Sequence, residues 1–444
     1  MLDRIKKLID EKKYVKIKDL LNEMNEHDIA EILEELPSNE TLKLFRLLPK
    51  DIAADVFSYL ETDTEAIMIS SLSEKEAVEI INDMYADDAA DLMDEMPANV
   101  VKRLLSRVDE STRRDINLLL KYPDNSAGSI MTVEYLDFKE YITIKDAIKK
   151  IKKEYDDKET IDTCFVTDKK RKLIGTISLK DLVINDEDTP LNEIMNDEIH
   201  SVNTLTDQEE VANIIQDYDL TSIPVVDSEG KLVGIITIDD IVDIIEEEAT
   251  EDMQKMAAIV PTEKSYFKLS VFDLWKSRIP WLLVLMISAT FTGKIIEHYE
   301  SALSVYVILT SFIPMIMNTG GNAGGQSSAT IIRGLSLDDI EFKDSFKVMF
   351  KELCTAFLVG LTLAIANFAK LMLIDGIEFK ISLVVSLTII LVVCVAKVIG
   401  SFLPILAKKL GFDPTVMASP FITTLVDAIS LFVYFNIATS ILGI

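Results

Sequence analysis

The chain has 444 residues, 49% of them hydrophobic, and its 74 acidic against 45 basic side chains leave a net charge of −29. Residues 271–444 carry 12 acids and 12 bases, which leaves 62 and 33 in residues 1–270, so the excess belongs to the first 270 residues. Such a region repels nucleic acid and anionic lipid and attracts divalent cations, and three scattered cysteines (Cys164, Cys354, Cys394) with three scattered histidines (His27, His200, His298) offer neither a zinc site nor a disulfide framework.

The stretch Met1 to Tyr14 is charged throughout and has no signal-peptide pattern, which predicts a cytoplasmic location for the acidic half. From Glu26 to Leu120 apolar residues fall at helical spacing, with turns at Pro37, Pro49 and Pro97. Small or apolar anchors (Ala30, Leu42, Ala53, Ala66, Ala77, Ala89, Val101) recur about every 12 residues, the pattern of a helical superhelix that binds or braces. Next, Val166-Thr-Asp-Lys-Lys-Arg-Lys-Leu-Ile-Gly-Thr-Ile-Ser-Leu-Lys-Asp181 matches Val225-Val-Asp-Ser-Glu-Gly-Lys-Leu-Val-Gly-Ile-Ile-Thr-Ile-Asp-Asp240 at a constant offset of 59. Each copy reads as strand, turn, strand and helix, and the duplication resembles tandem cystathionine-β-synthase-type (CBS) modules. In that family the hydroxyl and carboxylate of the Ser/Thr-x-x-Asp pattern can hold an adenosine ribose, which makes Ser178, Asp181, Thr237 and Asp240 candidates for ATP or another adenosine nucleotide. A helix-capping role explains them equally well. Glu246 to Asp252 then places five acids in seven residues, and self-repulsion disfavours a helix there unless cations neutralise it.

Apolar runs near 279–296, 303–332, 353–374, 381–407 and 415–442 predict five membrane spans. Arg278, Arg333, Lys343, Lys347, Lys351, Lys408 and Lys409 gather at one set of ends, against Lys294 and Lys380 at the other. The N-terminus is therefore expected inside and the C-terminus outside. The second span contains Asn318-Thr-Gly-Gly-Asn-Ala-Gly-Gly-Gln-Ser-Ser328, which reads as an interrupted segment whose Asn318, Gly320, Gly321, Asn322 and Gln326 line an ion path; close helix packing through small residues is the alternative. In the fifth, Asp427 is the one charged side chain after Asp413, and Ser419, Thr423 and Asp427 share a helix face. Pro420 is expected to free a backbone carbonyl near Ser419. An ionised group at that depth needs water, a partner or an ion. With no His or Cys nearby a hard cation is favoured, and Mg²⁺, which keeps most of its waters, needs fewer protein ligands than Ca²⁺. Asp413, 14 residues earlier, is expected about 21 Å along the same helix, at a mouth that the acidic helix can bridge only through divalent ions.

The order helical stack, CBS pair, acidic helix and five spans, with Gly320-Gly-Asn-Ala-Gly-Gly-Gln-Ser-Ser and Pro420-Phe-Ile-Thr-Thr-Leu-Val-Asp427, resembles the MgtE family of bacterial magnesium channels. The resemblance implies a multidomain fold: an α-helical superhelix (1–127), α/β CBS modules (128–194 and 195–245), a connecting helix (246–270) and an all-α pore domain (271–444). It implies a lipid-embedded homodimer in the inner membrane that selects hydrated Mg²⁺ at Asp427, aided by oxygens near Ser419 and Thr423. It also implies cytosolic Mg²⁺ sensors that close the pore, matched here by Asp87, Asp91, Asp207, Glu209, Asp219, Asp240, Asp243, Glu248, Glu251, Asp252 and Asp413. Ser419 in place of Asn, and Gly324-Gly-Gln in place of Gly-Asn-Gln, depart from the family pattern. Lys397, deep in the fourth span, either snorkels to the cytoplasmic face or pairs with an acid. An ion-coupled divalent-cation carrier and a non-transporting CBS sensor are the competing readings; no nucleophile, base and phosphate loop occur together, so no enzyme is expected.

Overall fold

The computed structural model describes residues 1–262, 266–337, 339–417 and 419–443, apart from the side chains of Asp51, Thr62, Asp63, Ala302, Met417 and Ser419. It forms two compact units, Met1–Ile245 and Glu246–Ile444.

In the first unit, among the described residues, ten short helices succeed one another from Leu2–Asp10 to Glu110–Leu119. Pro37, Pro49 and Pro97 stand immediately before helices, at Ser38, Lys50 and Ala98, where extended backbone is needed and a missing N–H costs nothing. Ser73 opens Glu74–Asp83 with a reciprocal cap, its hydroxyl accepting from Glu76 N–H and the Glu76 carboxylate accepting from Ser73 N–H. Of the recurrent alanines, Ala30, Ala77 and Ala89 are buried, while Ala53 and Ala66 are half-buried. The core they build continues without a break into the second CBS module through Met131, Val211, Ile223, Ile236 and Ile241, whereas the first module has a core of its own around Phe138, Ile144, Cys164 and Ile177.

Both modules carry a three-stranded sheet of one design. Asp137–Lys139 runs parallel to Thr163–Thr167, which pairs antiparallel with Leu173–Ser178; Val202–Asn203, Ser222–Val226 and Leu232–Thr237 repeat the arrangement. The offset of 59 holds in the register, since Thr163 faces Ser178 as Ser222 faces Thr237. The lead-in segments are exchanged: Thr132, ahead of the first sheet, bridges to Ile235 of the second sheet, and Asn196, ahead of the second sheet, bridges to Thr176 of the first.

In the second unit, among the described residues, four helices are long and apolar enough to cross a membrane: Val271–His298, Phe342–Leu373, Phe379–Lys409 and Pro420–Leu442. The predicted second span is divided differently from expectation. Its break falls before the glycines, in a 3₁₀ turn over Val307–Phe312, and Ile313–Ser336 is one continuous α-helix. Glycine tolerates helix wherever neighbours bury it, and here they do. This glycine helix packs on Phe379–Lys409, the most buried of the membrane helices, and on Ser419–Leu442.

Candidate functional site

The glycines let three helices approach closely. A side chain on Gly320 would meet Ser430, Val392 and Val426, and one on Gly324 would meet Ile422 and the Ala396 carbonyl. Gly400 lies directly against the Gly324 backbone. Gly320 and Gly321 are accordingly buried in helix packing, while Asn318, Asn322 and Gln326, spaced by four, form an exposed amide edge, tied by Asn322 Nδ2 donating to Asn318 Oδ1 at 3.3 Å. The five residues read as one lining thus divide into a packing face and an open polar face.

Thr423 sits against Gly321, and its hydroxyl donates to the Pro420 carbonyl at 2.9 Å, as does that of Thr424. Because Pro420 stands in the first turn of Ser419–Leu442, it interrupts nothing; the expected carbonyl freed inside a helix does not occur. The side chain of Ser419 lies outside the described residues. Asp427, one turn beyond Thr423, is partly exposed and makes no hydrogen bond or ion pair among the described residues.

Asp413 is not on this helix. It precedes the 3₁₀ turn Pro414–Met417 and caps it, accepting from Thr415 N at 2.8 Å and Thr415 Oγ1 at 2.6 Å, so the 21 Å helical spacing to Asp427 is corrected: helix covers only residues 419–427, about 12 Å. The need for a divalent bridge is corrected as well. Ile238–Met256 is helical through the acidic run, and Lys255 Nζ stands 2.7 Å from both Glu251 and Asp413. Burial opposes the charge on Lys255, but hydrogen bonds to Asp413 and Glu251 outweigh it and raise its pKa. Burial likewise opposes the Asp413 charge, and the Lys255 and Thr415 hydrogen bonds bring it below the usual carboxylate range. Asp252 is pushed up to about 6 by burial and then by Asp413, with Glu248 and Glu251 adding to it.

A second acidic cluster lies within Met1–Ile245, where the continuous core holds the helical stack on the second CBS module. Asp87, Asp88, Glu134, Glu159 and Asp240 face one another there, and among the described residues no lysine or arginine pairs with them. Burial, followed by Asp88 and Asp240, raises Asp87 well above the carboxylate range, and its Oδ1 is buried with no hydrogen-bond partner among the described residues. Burial and then Asp240 push Asp88 up to about 7, and burial with Asp240 and Asp239 pushes Glu159 up to about 8. Nearby, burial and the charges of Asp88 and Asp91 push Glu65 up to about 9. Among the described residues no three of these side chains close on one point as direct metal ligands.

Of the other sensor candidates, Asp91, Asp207, Glu209, Asp219 and Asp243 are exposed; Asp91 and Asp243 lie at the cluster's edge, where their charges act on Glu65 and Asp240, and Asp207 caps its own helix by accepting from Glu209 N at 2.9 Å. Sequence reasoning missed Glu134, Glu159, Glu65 and Lys255. Asp88, beside Asp87, was the neighbour a paired acid could have signalled; Glu134 and Glu159 come from irregular segments and Glu65 from the helix Thr62–Ser71, and only the fold brings them in. The nucleotide candidates act locally, Ser178 and Asp181 closing a capping box and Thr237 Oγ1 donating to Asp240 Oδ2 at 2.7 Å.

Residues 313–437 match the MgtE divalent cation transporter model, 24–125 the MgtE intracellular N domain, and 127–187 and 191–247 CBS domains. The magnesium transporter MgtE of Thermus thermophilus is 38% identical over 341 residues, 77% of this chain and 75% of that protein. The chain belongs to the MgtE family of magnesium transporters. The MgtE of Enterococcus faecalis is 37% identical over 73% of this chain and 71% of its own length. A solved structure, the cytosolic domain of the Mg²⁺ channel MgtE in complex with ATP, aligns with TM-score 0.53 and 35% identity over 55% of this chain and all of that one. These relatives are transporters and not enzymes, and the expected order of helical domain, CBS pair and helical membrane region holds for this MgtE-family chain.

Proposed function

We propose that the chain is a Mg²⁺-selective channel of the cytoplasmic membrane, active as a homodimer with its N-terminus in the cytosol and its C-terminus outside, and closed by cytosolic Mg²⁺. The observation that carries this is Asp427: a carboxylate within an apolar helix, partly exposed and, among the described residues, without a protein cation, beside Thr423 and the amide edge of the glycine helix. A lone carboxylate with amide and hydroxyl oxygens suits an ion that keeps its water shell. Two copies across a dimer axis would double the charge. For the sensor, the cluster around Asp87 and Asp240 has repulsion that a cation would relieve, and its loose arrangement suits a hydrated ion better than a chelated one. Asp252, Glu248, Glu251 and Asp413 offer a second such place, where Lys255 already supplies one positive charge. Asp91, Asp207, Glu209, Asp219 and Asp243 are kept as surface contributors. The Ser178 and Thr237 caps could also present an adenosine ribose with their carboxylates, in line with the ATP held by the related cytosolic domain.

Purified protein in liposomes, read with an internal Mg²⁺ dye, tests the reading. Flux should follow the Mg²⁺ gradient alone and fall when millimolar Mg²⁺ is placed on the cytosolic side. A requirement for an opposing ion gradient would establish a coupled carrier, and no flux would leave a CBS sensor.

A further inference from the structure

The membrane unit contains a second acid that the path at Asp427 does not use. Glu352, in Ser345–Leu373, is met by Lys397 Nζ at 3.3 Å, and Ser327 of the glycine helix donates to the same Glu352 Oε2 at 2.5 Å while Lys397 donates to Ser327 Oγ at 3.0 Å. The Lys397 side chain is 7% exposed and that of Glu352 16%. Lys397 stands 12 residues before the Lys409 end of its helix, about 18 Å, so the ammonium is paired inside the bundle and does not snorkel. Three helices thus meet at three polar side chains, immediately after Gln326 of the amide edge and one turn from the Gly324–Gly400 contact.

Buried ion pairs seldom add net stability over apolar packing, but removing one member leaves an uncompensated charge at high cost. In the bundle that charge would have a particular consequence. An unpaired Glu352 would make a second attractive centre for a cation, and an unpaired Lys397 would repel one.

We infer that Lys397 is a positioning residue for conduction: it silences Glu352, so that Asp427 remains the uncompensated acid, and through Ser327 it fixes the helix bearing Asn318, Asn322 and Gln326. This rests on the channel reading above. It is tested by a double-mutant cycle in liposomes, with flux normalised to folded protein and thermal unfolding measured in parallel. Lys397→Met and Glu352→Gln should each lower maximal Mg²⁺ flux at least about tenfold, with half-saturating Mg²⁺ lowered in Lys397→Met and raised in Glu352→Gln. The double variant should return to within about threefold of wild type, because no charge is then left unpaired. Ser327→Ala, which spares the ion pair, should cost about threefold in flux with the half-saturating concentration unchanged. Multiplicative losses in the double variant, or wild-type flux in Lys397→Met, would overturn the inference. A loss that vanishes on normalisation to folded protein would assign the triad to stability alone and overturn the conduction role. If the wild type itself carries no Mg²⁺, the channel reading fails and the conduction role with it, while coupled unfolding temperatures would still identify the ion pair.

Discussion

In Met1–Ile245 the carboxylates of Asp87, Asp88, Glu159 and Asp240 crowd together with, among the described residues, no lysine or arginine paired to them, whereas in Glu246–Ile444 Glu352 has Lys397 and Asp413 has Lys255. The contrast follows from what each medium tolerates. At the edge of water an acid without a partner can bind a proton or recruit a mobile cation, so repulsion can be kept as a sensor of cation concentration. Inside an apolar bundle neither is readily available, and a tethered ammonium does the same neutralisation permanently. Asp427 breaks the second pattern, which is why the proposal places the transported ion there.

The largest effect is therefore expected at Asp427. Asp427→Asn keeps the size and removes the charge, and should reduce Mg²⁺ flux at least about 100-fold while the protein still elutes as a folded species. Wild-type flux in the purified variant would remove Asp427 from the path and end its special standing among the membrane acids.

The acidic cluster can be broken by pH. Burial and neighbouring carboxylates hold Asp88 at about 7 and Glu159 at about 8 in the folded state, against ordinary values of 3.8 and 4.5. A raised carboxyl holds its proton longer in the folded state, so its contribution is fully present below pH 4 and is lost as pH rises through about 7 to 8. Without Mg²⁺, this unit should thus lose stability on the order of a few kcal/mol between pH 5 and pH 9, read as faster amide exchange in the helices bearing Asp87 and Asp240. Millimolar Mg²⁺ should flatten the slope above pH 7. A flat profile without Mg²⁺ would show that the acids are solvated and not in conflict.

Much of this was legible in the chain, and the residues show where legibility stopped. Helical periodicity, the 59-residue duplication and apolar run length are signals carried by the chain itself, and the helical domain, CBS pair and helical membrane region followed them, although the second apolar run is broken at Val307–Phe312. The glycine run was ambiguous because the same small residues serve a broken pore segment or tight helix packing; only Val392, Ile422 and Val426, far away in sequence, decide it. Lys255 and Lys397 were visible as residues, but their partners lie 158 and 45 positions away. Among the sensor candidates, sequence could not separate Asp87, held against Asp240, from Asp91 on the surface.

That separation is itself testable. Asp87→Asn or Asp240→Asn should raise the Mg²⁺ concentration for half-closure about three- to tenfold, by weakening a shared ion whose differential affinity drives closure. The same substitutions should make metal-free protein more resistant to protease, since they relieve repulsion. Asp91→Asn should change neither measurably. Equal shifts for Asp87 and Asp91 would mean that general surface charge, and not the buried cluster, is what responds to Mg²⁺.

The smallest shift is expected from Lys255, and it probes the membrane unit's habit of tethered cations at the place where the two strategies meet. Lys255 bridges Glu251 and Asp413 while Asp252 beside them carries a raised pKa, so one fixed positive charge serves several acids and leaves them partly unneutralised. Because the pair is partly exposed, water screens it, and its loss should cost no more than about 1 kcal/mol. In Lys255→Met the Mg²⁺ needed for half-closure should then rise about two- to fivefold, and closure should depend more steeply on Mg²⁺, since a mobile ion must supply the charge the lysine supplied. Conduction at low cytosolic Mg²⁺ should stay at the wild-type level, because Asp427 and the Lys397 triad are untouched. The alternative is that Lys255 competes with a metal for Asp413, in which case the variant would close at lower Mg²⁺ than wild type. The direction of the midpoint shift, measured in liposomes with Mg²⁺ titrated on the cytosolic side, decides between a lysine that helps hold the connecting helix at Asp413 and one that keeps a metal out.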